Sequence, residues 1–148
     1  MSNKQNNLLT VWDNDVLNKK NINFLRCPTK PVQFPISPFI KKIINDLIDT
    51  YKQIPCAGIA ANQLGYEKKI FVGMKHDLDN SVIEDPLKNI DKVVPEIENL
   101  EIYINPQIDR IDKNSTQIGE EGCLSIPNIT LNIERYNKIK VRYYNSEG

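Results

Sequence analysis

Histidine is almost missing from this chain: His76 is the only one in 148 residues. A catalytic metal site takes at least three protein ligands, so two converging imidazoles cannot come from within these residues. Charge of one sign is also missing, because nineteen Lys and Arg residues balance nineteen Asp and Glu residues. Without a net basic balance, neither nucleic acid nor an anionic membrane is expected as a general partner. No apolar run approaches the roughly 18 residues that a bilayer-spanning helix needs. Residues 1–7 lack the apolar core of a secretory signal. The three cysteines, Cys27, Cys56 and Cys123, cannot all pair and show no framework spacing. A cytoplasmic location is the expectation.

The length fits one domain, and 40% hydrophobic residues suffice to build a core. Residues 1–22 read as a polar N-terminal extension, with a short helix expected near residues 15–20. The proline-rich stretch 27–38 reads as extended, since each proline biases the preceding residue away from helix. Ser37 is a good cap and Pro38 suits the first helical position. Phe39, Ile40, Ile43, Ile44, Leu47, Ile48 and Tyr51 follow at spacings of three and four, which predicts a helix with one wide apolar face, ended by Pro55. Strands are predicted at 69–74, 101–104, 107–111, near Cys123, at 130–135 and at 138–144. Residues 76–99 are acidic, polar and broken by Pro86 and Pro95, which suggests a surface insertion. One helix followed mainly by strands argues for an α+β fold with antiparallel sheets packed around helices.

Residues 120–127, Glu-Glu-Gly-Cys-Leu-Ser-Ile-Pro, carry the strongest chemical signal. Cys123 can offer a metal a thiolate, or it can be an inert structural thiol. Residues 58–63, Gly-Ile-Ala-Ala-Asn-Gln, form a second compact motif. Together the two motifs resemble the signatures of the peptide deformylases. The family pattern Gly-x-Gly-x-Ala-Ala-x-Gln is matched from Gly58 to Gln63, with Cys56 in place of the first glycine. The pattern Glu-Gly-Cys-Leu-Ser is matched in full at residues 121–125. The resemblance runs from about residue 23 to residue 148, with the insertion at about 76–99 interrupting it. The family's third motif, His-Glu-x-x-His, does not occur in these residues.

The resemblance implies a peptide deformylase-like fold with its central metal-binding helix missing. It also implies hydrolysis of N-formyl-methionyl peptides at new protein N-termini, releasing formate. Cys123 would be a ligand of Fe2+, exchangeable for Zn2+ or Ni2+, with two histidines completing the set. Gln63 and the Leu124 backbone N–H would stabilise the oxyanion. Gly58, Ile59 and Gly122 would line the peptide site. Glu120 and Glu121 would be supporting residues, and His76 a solvated side chain. Cys56 would line the pocket or strain the turn, with substitute metal ligation a lesser alternative.

With two ligands and the general base lacking, the expectation for residues 1–148 is no stoichiometric metal and no turnover. The alternatives are a catalytically dead relict or peptide-binding protein, and a fragment of an active enzyme completed by a downstream or separate segment. Apolar faces at Ile59, Leu124, Ile139 and Val141, alongside the face of the helix that Ser37 begins, are expected to be uncovered, favouring self-association.

Overall fold

The structure, a computed structural model, describes residues 8–74 and 100–148. His76 and the insertion expected at 76–99 lie outside the described residues. A two-stranded hairpin comes first, β1 (Trp12–Asp13) and β2 (Val16–Leu17). Asn14 and Asp15 turn it with φ of 45° and 68°, a left-handed pair that short polar side chains tolerate. The helix expected at 15–20 is therefore displaced. It begins beyond the hairpin, as α1 (Lys19–Arg26), where the Asn18 side chain accepts from Asn21 N at 3.0 Å.

The second helix, α2 (Pro38–Gln53), bears out the reading of its cap: Ser37 Oγ accepts from Ile40 N at 3.3 Å. Pro55 restrains Ile54 to extended backbone, and the helix stops there. Ile40, Ile43, Ile44, Leu47 and Tyr51 of α2 are buried. They pack with Ile59, Ala61, Leu64, Ile70, Val72 and Ile104 in one core. Each large side chain so covered contributes about 1.5–3 kcal/mol. Ile59, only 2% exposed, and the apolar face of α2 belong to this core, which corrects the expectation that both would be uncovered.

The sheet under α2 is antiparallel, in the order β3 (Gly58–Ala60), β4 (Ile70–Met74), β5 (Leu100–Ile111), β8 (Ile139–Tyr144). Residues 101–111, expected as two strands, run as one. The pairing with β8 shifts register between Ile104 and Gln107, where Asn105 takes φ 51°. The Asn105 side chain turns this break into a tether. Its Oδ1 accepts from Val32 N at 2.7 Å, and its Nδ2 donates to Val32 O at 2.9 Å.

β6 (Thr116–Cys123) and β7 (Ile126–Tyr136) form a separate two-stranded sheet. A lone hairpin in water is marginally stable at best. This one exposes Ile118 on one face and Leu131 on the other, at 73% and 61%. Ile139 is exposed as expected, while Leu124 and Val141 are half-buried.

Candidate active site

Gln63 lies in a single 3-10 turn, Ala61–Leu64, that follows β3 directly. Gly65 ends the turn at φ 86°, a left-handed position natural to glycine. The Gln63 side chain folds back, and its Oε1 accepts from Ala60 N at 2.9 Å. That bond settles which end of the amide faces outward. The Nε2 donates to Ser125 Oγ at 3.2 Å and approaches Cys123 Sγ at 3.7 Å, so both motifs converge on one amide.

Cys123 ends β6, and Leu124 and Ser125 make the turn into β7. The Cys123 thiol is exposed, whereas Ser125 is buried. Main-chain bonds from the N-terminal segment hold both halves: Leu9 N donates to Gln63 O at 2.7 Å, and Val11 N to Ser125 O at 2.9 Å. Asn62 Nδ2 adds a 3.3 Å bond to Leu25 O, fastening the turn to α1.

Gly58 pairs with Gly73 across β3 and β4. A Cβ on Gly58 would stand 2.9 Å from Val72 O, closer than real contacts allow, so the glycine has an internal reason to be there. At Gly122 an added Cβ would make ordinary contact, 3.5 Å from Ile129 O. Among the described residues, no strand pairs with β3 on the side away from β4.

The two glutamates beside Cys123 are engaged within the hairpin. Arg135 grips Glu121 with two bonds, Nε to Oε1 at 2.9 Å and Nη2 to Oε2 at 2.7 Å. Those hydrogen bonds hold the Glu121 carboxyl below its ordinary pKa. Glu120 Oε1 accepts from Thr130 Oγ1 at 2.6 Å.

Cys56 packs partly buried against the core, and burial raises its thiol pKa. It lies outside the set of non-glycine residues with positive φ, so no backbone strain arises there.

The structure thus brings together Gln63 and Cys123, with Leu124 and Gly122 flanking the thiol. Nothing in the sequence marks Ser125, Leu9 or Val11 as holding the site together. Ser125 stands inside the Glu-Gly-Cys-Leu-Ser motif, but nothing in its spacing signals that it accepts from Gln63. A divalent metal on Cys123, as the resemblance implies, needs further donors. Among the described residues no three His, Cys, Asp or Glu side chains cluster to hold one. Cys123 fits as one ligand, and the described residues do not complete the set.

The family model of polypeptide deformylase matches residues 15–148. The peptide deformylase of Desulforudis audaxviator is 34% identical over 113 residues, covering 76% of this chain and 60% of that protein. The crystal structure of the Thermotoga maritima peptide deformylase superimposes with a TM-score of 0.62 at 34% identity, covering 84% of this chain and 69% of that one. A class I type b peptide deformylase from Acinetobacter baumannii, solved with Met-Ala-Ser bound, gives 0.67 at 26% identity, covering 85% of this chain and 73% of that one. The chain spans about three fifths of the length of the first curated relatives it matches.

Proposed function

The chain belongs to the polypeptide deformylase family, and from that premise we propose that it serves the removal of formyl groups from N-formyl-methionyl peptides. Residues 1–148 supply the substrate-holding and oxyanion-stabilising part of that chemistry. One observation carries the reading: the Gln63 amide is locked by Ala60 N and aimed at Cys123 and Ser125.

A locked amide is what a developing oxyanion requires. When water adds to the formyl carbon, charge gathers on the formyl oxygen. A donor already in place stabilises that charge without reorganising. Gln63 Nε2 exchanges its bond to Ser125 Oγ for the oxyanion, and the Leu124 N–H, next along the chain from Cys123, is the second donor. Breaking the C–N bond returns a proton to nitrogen, frees the methionine N-terminus and releases formate.

The unpaired side of β3 accepts the peptide as an added strand. Gly58, Ile59 and Gly122 are then the peptide-side residues, with Ile59 acting through its backbone because its side chain is in the core. Cys123 would offer one thiolate ligand to Fe2+, Zn2+ or Ni2+, and such a metal would supply the attacking water. The His-Glu-x-x-His motif does not occur in residues 1–148, and we infer that these residues alone bind substrate without turning it over.

Titration of 15N-labelled protein with an N-formyl-methionyl tripeptide tests the reading. Saturable shifts at Gly58, Ile59 and the Gln63 side-chain amide are expected, and weaker binding by Gln63→Ala. An intact spectrum that does not move with peptide would contradict it.

A further inference from the structure

The end of the molecule formed by the β5–β6 and β7–β8 turns holds an open concavity that none of the residues around Gln63 and Cys123 lines. It measures about 700 Å³ and is lined by Arg110, Lys113, Lys138 and Lys140, with Asp112 as its one carboxylate. Ile111 and Ile139 form its apolar wall. A chain of zero net charge has gathered four cations around one acid.

The pairing of the strands makes this costly. Arg110 lies directly opposite Lys140 between β5 and β8. Like charges in that relationship repel and destabilise a sheet. Nearby on the same strands the charges are balanced: Arg142 Nη2 sits 3.2 Å from Asp109 Oδ1 and donates to Gln107 Oε1 at 3.1 Å. Among the described residues, no ion pair neutralises Arg110, Lys113, Lys138 or Lys140. Asp112 is partly engaged locally, its Oδ1 accepting from Asn114 N at 3.1 Å.

The turns themselves are held. Asp112 N donates to Lys138 O at 3.1 Å, and Asn137 N to Ser115 O at 2.9 Å. The cations are therefore presented on a braced frame, around a space within the roughly 300–1,000 Å³ range of small-molecule sites.

We propose that this cavity is a binding site for a compact phosphate-chain anion, one carrying two or more linked phosphates. Four cationic side chains lining one concave space match a multivalent oxyanion better than a single phosphate. The concavity is lined only by residues 110–114 and 138–140, which favours a small ligand over a length of nucleic acid. The chain can come from a free inorganic polyphosphate or from a nucleotide, whose base would lie on Ile111 and Ile139.

Calorimetric titration of the 148-residue protein at about 150 mM salt, where exposed charges farther apart than some 8 Å are screened, tests this. Inorganic triphosphate is the probe, with ATP and a short single-stranded RNA as parallel arms. One-to-one saturable binding of triphosphate is expected, falling about tenfold or more in Arg110→Gln/Lys140→Gln. Arg142→Gln, whose charge is already paired, should bind as the parent does. ATP binding tighter than triphosphate identifies the nucleotide as source, and equal binding identifies the free anion. No saturable binding, or binding unchanged in the double variant, overturns the proposal. RNA binding that needs Arg110 and Lys140 while triphosphate fails to bind overturns it in favour of a nucleic-acid surface.

Discussion

The Tyr66 hydroxyl donates a 2.5 Å hydrogen bond to the Asp46 carboxylate, tying the turn that bears Gln63 to the middle of α2. Asp46 is 7% exposed, and Lys42 Nζ meets the same oxygen at 2.7 Å. Hydrogen bonds to Asp46 and then Tyr66 hold the Lys42 ammonium well above its ordinary pKa. Tyr66 N also donates to Ala61 O at 3.1 Å, so the phenol and the amide brace the same turn. Tyr66→Phe should cost about 1.5–3 kcal/mol, as loss of a hydrogen bond to a buried charge does. Urea unfolding measures it, and a change within about 0.5 kcal/mol, as at neutral surface sites, would show that the tie is slack.

At Gly58 the constraint is steric. The 2.9 Å approach of an added Cβ to Val72 O must push β3 away from β4. Gly58→Ala is expected to destabilise by about 1–3 kcal/mol, the usual cost of overpacking. Gly119, where a Cβ would meet nothing within 4 Å, is the internal control, and Gly119→Ala should be nearly neutral in the same melt.

The three thiols should separate by reactivity. Cys27 and Cys123 are exposed, while Cys56 is partly buried with a thiol pKa raised by burial. Thiolate is the reactive form, so Cys56 should lag in the native protein. Native labelling with a thiol-specific disulfide reagent should give two fast equivalents and one slow one. Three fast equivalents would place Cys56 at the surface.

The bond between Glu121 and Arg135 sets a direction with pH. Its folded pKa lies below the ordinary carboxylate value, chiefly through the Arg135 hydrogen bond. Stability from this pair is therefore present above the ordinary glutamate pKa and is lost as pH falls through the lowered one. The side chain is exposed, so solvent screening keeps the contribution small. Glu121→Gln should lower stability slightly at neutral pH and converge on the parent as pH falls below about 4.5, so that the acid limb is flattened. An identical acid limb in parent and variant would remove the pair from the account.

Local rules made α2 readable: a capping serine, a proline at the first position and apolar residues at helical spacing. The same rules missed the start of the chain. Asn14 and Asp15 are turn residues, yet between apolar neighbours they read equally as a helix start until the left-handed φ values are seen. The single long β5 was hidden by Asn105-Pro106, because only the distant Val32 shows how Asn105 repairs the break. At the site, Gln63 and Cys123 could be named from their motifs. Ser125 as their shared neighbour could not, since it depends on contacts 62 residues apart in sequence.

The β6–β7 hairpin should govern behaviour in solution. Ile118 and Leu131 leave apolar surface on opposite faces of an otherwise thin element. Residues 1–148 are expected to self-associate as concentration rises, and Leu131→Lys should reduce that association. Sedimentation velocity reads both, and a strictly monomeric parent across the accessible range would contradict the expectation.

Formate release from an N-formyl-methionyl peptide tests the central claim most directly. Residues 1–148 join Gln63 to Cys123 but contain one histidine, and lost members of a catalytic unit remove nearly all of its acceleration. Formate production no faster than in buffer is expected, with or without added Fe2+ or Zn2+. Turnover above that background, abolished by Cys123→Ala, would contradict it.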